Sequence, residues 1–196
     1  MTDLEGHYLL MTDPTTPTPI SSPAVSHPAV SNPERDDLVS TLAKHRGLLR
    51  HTVEGLTDEQ AARRTTVSEL CLGGLIKHVT MAEAGWAAFI EVGPTVLSGT
   101  DPAAVQTHAE SFRMLEGETL AGLLEAYGQV AAHTDALMAT LPSLDQSHPL
   151  PEAPWFEPGA RWSARRVLLH ILAETAQHAG HADILREALD GAKTMG

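Results

Sequence analysis

His170-Ile-Leu-Ala-Glu174-Thr-Ala-Gln-His178-Ala-Gly-His181-Ala-Asp183 sets three histidines and a glutamate at helical spacing. The apolar residues around it, Val167, Leu168, Ile171 and Leu172 before and Ile184, Leu185 and Leu189 after, keep the same period. The stretch therefore reads as one long helix with a polar ladder beside its buried stripe. At about 100° per residue, Glu174 and His178 stand about 40° apart on one face and about 6 Å apart along the axis, close enough to share an ion. A helix pair does not close such a site, because zinc and its neighbours take at least three protein ligands. The best-placed outside candidate is His78, in Gly73-Gly74-Leu75-Ile76-Lys77-His78-Val79, a second helical stretch. Two imidazoles and a carboxylate would leave a coordination position open, which marks catalytic sites more often than structural ones. Inter-helix hydrogen bonds or an exposed cleft would also satisfy the ladder. His170, likewise four residues from Glu174, rivals the others as a ligand. His181 and Asp183 are placed to support a ligand or to face a substrate.

Working outward, the same periodicity predicts three more long helices. The first runs over 34–56, with Pro33 at its start, acidic residues in its first turn and Leu38, Leu42, Leu48, Leu49 and Val53 as its stripe. Thr57 caps a short turn of helix. Ser68 is the expected N-cap of the second long helix, which ends near Ile90 and holds His78 near its middle. Gly93-Pro94 breaks the chain, and residues 94–116 read as a crossover with a short helix around Pro102 to Glu110. The third helix runs from about Glu118 to Leu141 and stops before Pro142. Pro149 to Trp162 is expected to lack regular structure and to pack its tryptophans across one end. Ser163 then caps the fourth helix, and Gly191 closes it. Four amphipathic helices without a convincing strand predict an all-α four-helix bundle with a long crossover. The domain spans 34–196, behind a Pro/Ser/Thr-rich tail, residues 1–33, that has too little to bury to offset its ordering entropy. Met1-Thr-Asp recurs as Met11-Thr-Asp, so the start of translation stays open between the two.

Composition narrows the function classes. Lysine and arginine number 13 against 25 aspartates and glutamates, a net charge of -12, with no basic run interleaved with aromatics; nucleic-acid binding is not expected. One cysteine, Cys71, permits no internal disulfide. No apolar run of membrane-spanning length and no signal-peptide pattern stand out, so a cytoplasmic protein without a membrane partner is the expectation. Cys71, flanked by Leu70 and Leu72, reads as a small buried residue rather than a nucleophile. Arg165 and Arg166, with Arg161 nearby, read as surface charge or as holders of a substrate carboxylate. Gly73-Gly74 has no strand and no Lys-Ser/Thr element to make a phosphate loop; it reads as a point of close helix approach.

Leu72-Gly73-Gly74-Leu75-Ile76-Lys77-His78, the segment from Glu118 to Tyr127, and above all Trp162 through Arg165-Arg166, His170, Glu174 and His178 to Glu187 resemble the DinB-like superfamily of four-helix-bundle metalloproteins over about residues 36–191. Many members have histidine where this chain has Glu174; the glutamate resembles the mycothiol-dependent, thiol-transferase branch. The resemblance implies His78, Glu174 and His178 as ligands of one divalent ion, zinc first, with nickel or another transition metal as the alternative. It further implies a homodimer, and a low-molecular-weight thiol of the mycothiol or bacillithiol type attacking a small electrophile, with detoxification as the setting. His181 and His170 would then move protons or support the ligands, and Arg165 and Arg166 would contact substrate or thiol. A hydrolase or isomerase on the same site, or a non-catalytic metal- or ligand-binding bundle, are the alternatives.

Overall fold

Asn32, in extended conformation, accepts a hydrogen bond from the Arg35 amide, and Pro33 opens the first helix with its φ already set. The structure, a computed structural model, describes residues 32–97 and 102–194. The expected tail falls almost wholly outside them. The helices are α1 Pro33–His51, α2 Asp58–Ala61, α3 Leu72–Val92, α4 Pro102–Ser111, α5 Leu120–Thr140 and α6 Ala164–Asp190, with a 3-10 turn at Pro94–Val96. The four long ones form the bundle: α6 packs on α1 and α3, and α5 packs on α3 and α1.

Three boundaries differ from expectation, each for a local reason. α1 stops at His51 rather than near 56, because the Thr52 hydroxyl turns back to the Leu49 carbonyl and Gly55 takes φ +74°. Arg186 then collects the carbonyls of Thr52 and Glu54, tying α6 to the turn. α3 is capped by Cys71, whose Sγ accepts from the Gly74 amide, not by Ser68, whose hydroxyl accepts from Leu70. The segment before α6 is not wholly irregular. β1 Ser147–Pro149 and β2 Arg161–Ser163 pair antiparallel, with His148 opposite Trp162. Of the two tryptophans expected to pack across one end, Trp162 stacks on Trp86 of α3, whereas Trp155 is exposed. Ser163 caps α6 and Gly191 ends it at φ +82°, both as read from sequence.

The core falls into two apolar blocks. One gathers Leu49, Leu72, Leu75, Ile76, Val79, Tyr127, Ala182 and Leu185; the other gathers Leu42, Phe89, Ile90, Met138, Val167, Leu168 and Ile171. Besides these blocks the interior holds charge: the Arg46 guanidinium grips Glu83 with two N–H groups, Nε at 3.2 Å, and reaches Asp135 Oδ1 at 2.8 Å. Glu83 is fully buried. Around the same level the Tyr127 hydroxyl reaches no hydrogen-bond partner of normal geometry, and burial, with Glu83 adding its charge, pushes its pKa up.

Candidate metal centre

α3 and α6 run past one another so that His78 meets His178, and two turns further along Trp86 meets His170. The ladder on α6 is thus matched by His78 and Trp86 on α3, two turns apart. His78 and His178 are buried, at 7% and 8% exposure, while Glu174 is partly exposed and gives the site its access to solvent. One donor atom from each of His78, Glu174 and His178 lies within 4.8 Å of the other two. Around a tetrahedral zinc with bonds of about 2.0–2.1 Å, ligand atoms stand about 3.3 Å apart. The Glu174 Oε2 to His178 Nε2 separation, 3.5 Å, already approaches that value. Neutral imidazoles and a carboxylate are the donor chemistry a borderline divalent ion takes, and the residues fit one.

The outer sides of both rings are held. Ser111 donates its one hydroxyl proton to the His108 carbonyl at 2.6 Å, so toward His78 Nδ1, 2.9 Å away, it acts as acceptor. His78 Nδ1 therefore carries the proton, and Nε2 keeps its lone pair. Phe112 stacks on the same ring at 3.9 Å and His108 meets it edge-on at 5.5 Å. His178 Nδ1 lies 3.3 Å from His181 Nδ1. With His178 as the donor of that bond, its Nε2 is left free on the side of Glu174.

Electrostatics agree with a neutral His78 ring beside an ionised carboxylate. Burial, with smaller contributions from His178 and His108, pushes the His78 pKa down to about 4 against the pull of Glu174. The nearness of His178, with smaller contributions from His170 and His78, holds the Glu174 carboxyl below its ordinary value despite burial. Burial also lowers the pKa of His170.

The other residues singled out from sequence separate cleanly. His170 does not join the triad; its ring lies edge-on between Trp86 at 4.8 Å and Trp162 at 5.1 Å. His181 backs His178, whereas Asp183 accepts the Thr194 amide and does not join the triad. Arg165 pairs with Glu34 and Asp145, while the Arg166 guanidinium lies 4.5 Å over Trp162. Cys71 is buried at the start of α3, as expected, and doubles as its cap. Ser111, Phe112 and His108, all from the crossover, were not foreseen. Gly73-Gly74 explains how they reach α3: a Cβ on Gly74 would overlap the Phe112 carbonyl, and one on Gly73 the Met114 thioether. The close approach read from those glycines is thus made by the crossover rather than by another long helix.

A depression of about 590 Å³ lies elsewhere, between α1 and α5 near Arg50, Asp58 and Leu124, and shares no residue with the triad. No described helix is long and apolar enough to cross a membrane.

Comparison with known proteins follows the same lines. The family described as Mycothiol-S-transferase matches residues 37–191. The fold is similar to that of a conserved protein from Enterococcus faecalis solved by crystallography, with 14% identity and a TM-score of 0.56 over 80% of this chain and 97% of that one. At that identity the likeness speaks for the fold alone. No curated protein matches in sequence.

Proposed function

The chain belongs to the mycothiol S-transferase family, within the DinB-like group, and from this premise we propose that it joins a low-molecular-weight thiol, of the mycothiol or bacillithiol type, to a small electrophile at the centre formed by His78, Glu174 and His178. The observation that carries the reading is the triad itself: two buried rings and a partly exposed carboxylate from facing helices, each ring held from behind. A divalent ion there, zinc by donor type with nickel or another transition metal as the alternative, would favour thiolate over thiol at its open position.

The chain's own residues do the positioning. Ser111 and Phe112 fix the tautomer and the plane of His78. His181 supports the His178 ring from its Nδ1 side. His170 stands one turn from Glu174, kept neutral by burial, and is the side chain we assign to receive the thiol proton. Cys71 takes no chemical part, since the reacting sulfur arrives with the cosubstrate. The setting we propose is a cytoplasmic homodimer that detoxifies electrophiles.

Elemental analysis of the purified protein should find about one divalent ion per chain, as for a mononuclear three-ligand site. A panel of mycothiol, bacillithiol, glutathione and cysteine with monochlorobimane should then give metal-dependent conjugation with one thiol. Metal-loaded protein inactive with all four would move the reading to a hydrolase, an isomerase or a non-catalytic bundle.

A further inference from the structure

We propose that Arg166, braced on the face of Trp162, is an anion-recognition point at the far end of the active-site ladder, and that the electrophile carries a carboxylate or a similar planar oxyanion. The first half stands on the arrangement of α6 alone; the second rests on the thiol-transfer reading above.

Two consecutive arginines open α6, and the fold treats them differently. The Arg165 fork is committed on both sides, to Glu34 of α1 and to Asp145 before the ribbon. Arg166 has no carboxylate or carbonyl partner for its guanidinium among the described residues; it lies over the Trp162 ring, and its charge also reaches His170. Exposed Arg63 and Arg113 likewise have no carboxylate partner among the described residues, so what sets Arg166 apart is its seat over an aromatic ring and its place on the ladder. The brace is itself rigid. Trp162 is stacked on Trp86 at 4.8 Å and 18°, His170 meets both rings edge-on, and Phe89 and Phe156 pack against the outer edges. A guanidinium seated over a ring without a carboxylate partner keeps N–H donors for a planar oxyanion, in the fork geometry that matches one, and has less rotamer freedom left to lose.

Position supplies the link to chemistry. Arg166, His170, Glu174 and His178 follow one another at four-residue steps, about 6 Å each, so the fork stands about 12 Å along α6 from the triad's carboxylate. That spacing suits an electrophile whose oxyanion sits across an aromatic ring from its reacting carbon, with the thiol filling the rest. The net charge of -12 repels anions in general, and an anionic substrate therefore needs one dedicated cation.

The test is a titration of the full-length protein in a Trp155→Phe background, where indole fluorescence comes from Trp86 and Trp162. The probes are 2,4-dinitrobenzoate and its neutral amide, used before and after chelation. The acid should bind at least about tenfold tighter than the amide, before and after chelation; Arg166→Gln should erase the preference, and Arg166→Lys should keep part of it. Equal affinity for the two probes, or a preference untouched by Arg166→Gln, overturns the proposal. So does a preference that disappears on chelation, which would put the carboxylate on the metal centre. Conjugation separates the two readings. With 4-chloro-3,5-dinitrobenzoate a C–S bond forms, C–Cl breaks, chloride leaves and the thiol proton passes to buffer. Arg166→Gln should raise KM about tenfold at nearly constant kcat. Acid binding through Arg166 without conjugation of any electrophile keeps the anion point and removes thiol transfer. Conjugation indifferent to substrate charge removes the anion point alone.

Discussion

Two polar clusters share helix α3, one toward α1 and α5 and the other toward α6, and they differ in how completely their members are satisfied. Arg46, Glu83 and Asp135 form a closed set: the guanidinium spends its donors on two carboxylates, and Glu83, wholly buried, has its charge matched within the protein. His78, Glu174 and His178 form an open one, with outer nitrogens held by Ser111 and His181 and inner atoms turned toward one another without a cation between them in the chain itself. A closed cluster supports the fold, whereas an open one leaves donor atoms that a bound ion can use. Breaking each in turn is the sharpest way to test the distinction.

The largest effect belongs to the closed set. Glu83→Ala strands a buried guanidinium and should cost about 3–5 kcal/mol in urea unfolding. Glu174→Gln, at a partly exposed site, should cost the metal-free protein less than about 1 kcal/mol while abolishing metal uptake. Equal losses from both would erase the contrast.

Next comes pH. His78 has a native pKa of about 4, below the ordinary 6.5, so the unfolded chain binds a proton that the native one refuses. The stability this contributes is fully present above about pH 6.5 and is lost as pH falls toward 4, on the order of 3 kcal/mol for the metal-free protein. His78→Gln should flatten that part of the pH profile; an unchanged slope would mean that the ring is not buried neutral.

Smaller still is the support behind the ring. Ser111→Ala should weaken metal affinity by about 10- to 100-fold, measured by competition with a chromophoric chelator, with all three ligands intact. Unchanged affinity would make the Ser111 contact incidental. Smallest is Cys71→Ser, which keeps a capping acceptor and should move stability by about 1 kcal/mol or less and leave thiol conjugation intact.

The open cluster was legible in the sequence because all its signals are periodic. Glu174 and His178 share a face at i, i+4, and the apolar stripes of α3 and α6 turn His78 toward them. The crossover's part was not legible: Ser111 lies 33 residues from His78, and no local pattern announces a contact of that range. The closed cluster left a trace that composition alone passes over. Arg46 falls between Leu42 and Leu49 on the buried stripe of α1, and Glu83 falls between Val79 and Ala87 on that of α3, positions where a charge must find a partner inside. The Cys71 cap was hidden by a better-ranked candidate, since serine ordinarily outcompetes a thiol in that role and only the docked crossover shows where α3 begins.

The two glycines that admit the crossover have a longer reach than their size implies. Because Phe112 and Ser111 can lie on α3 only where residue 74 has no side chain, the orientation of the His78 ring is inherited from a segment distant in the chain. Natural variation could therefore retune reactivity by rewriting a dozen positions of that segment, and a reader comparing ligand sets alone would see no change.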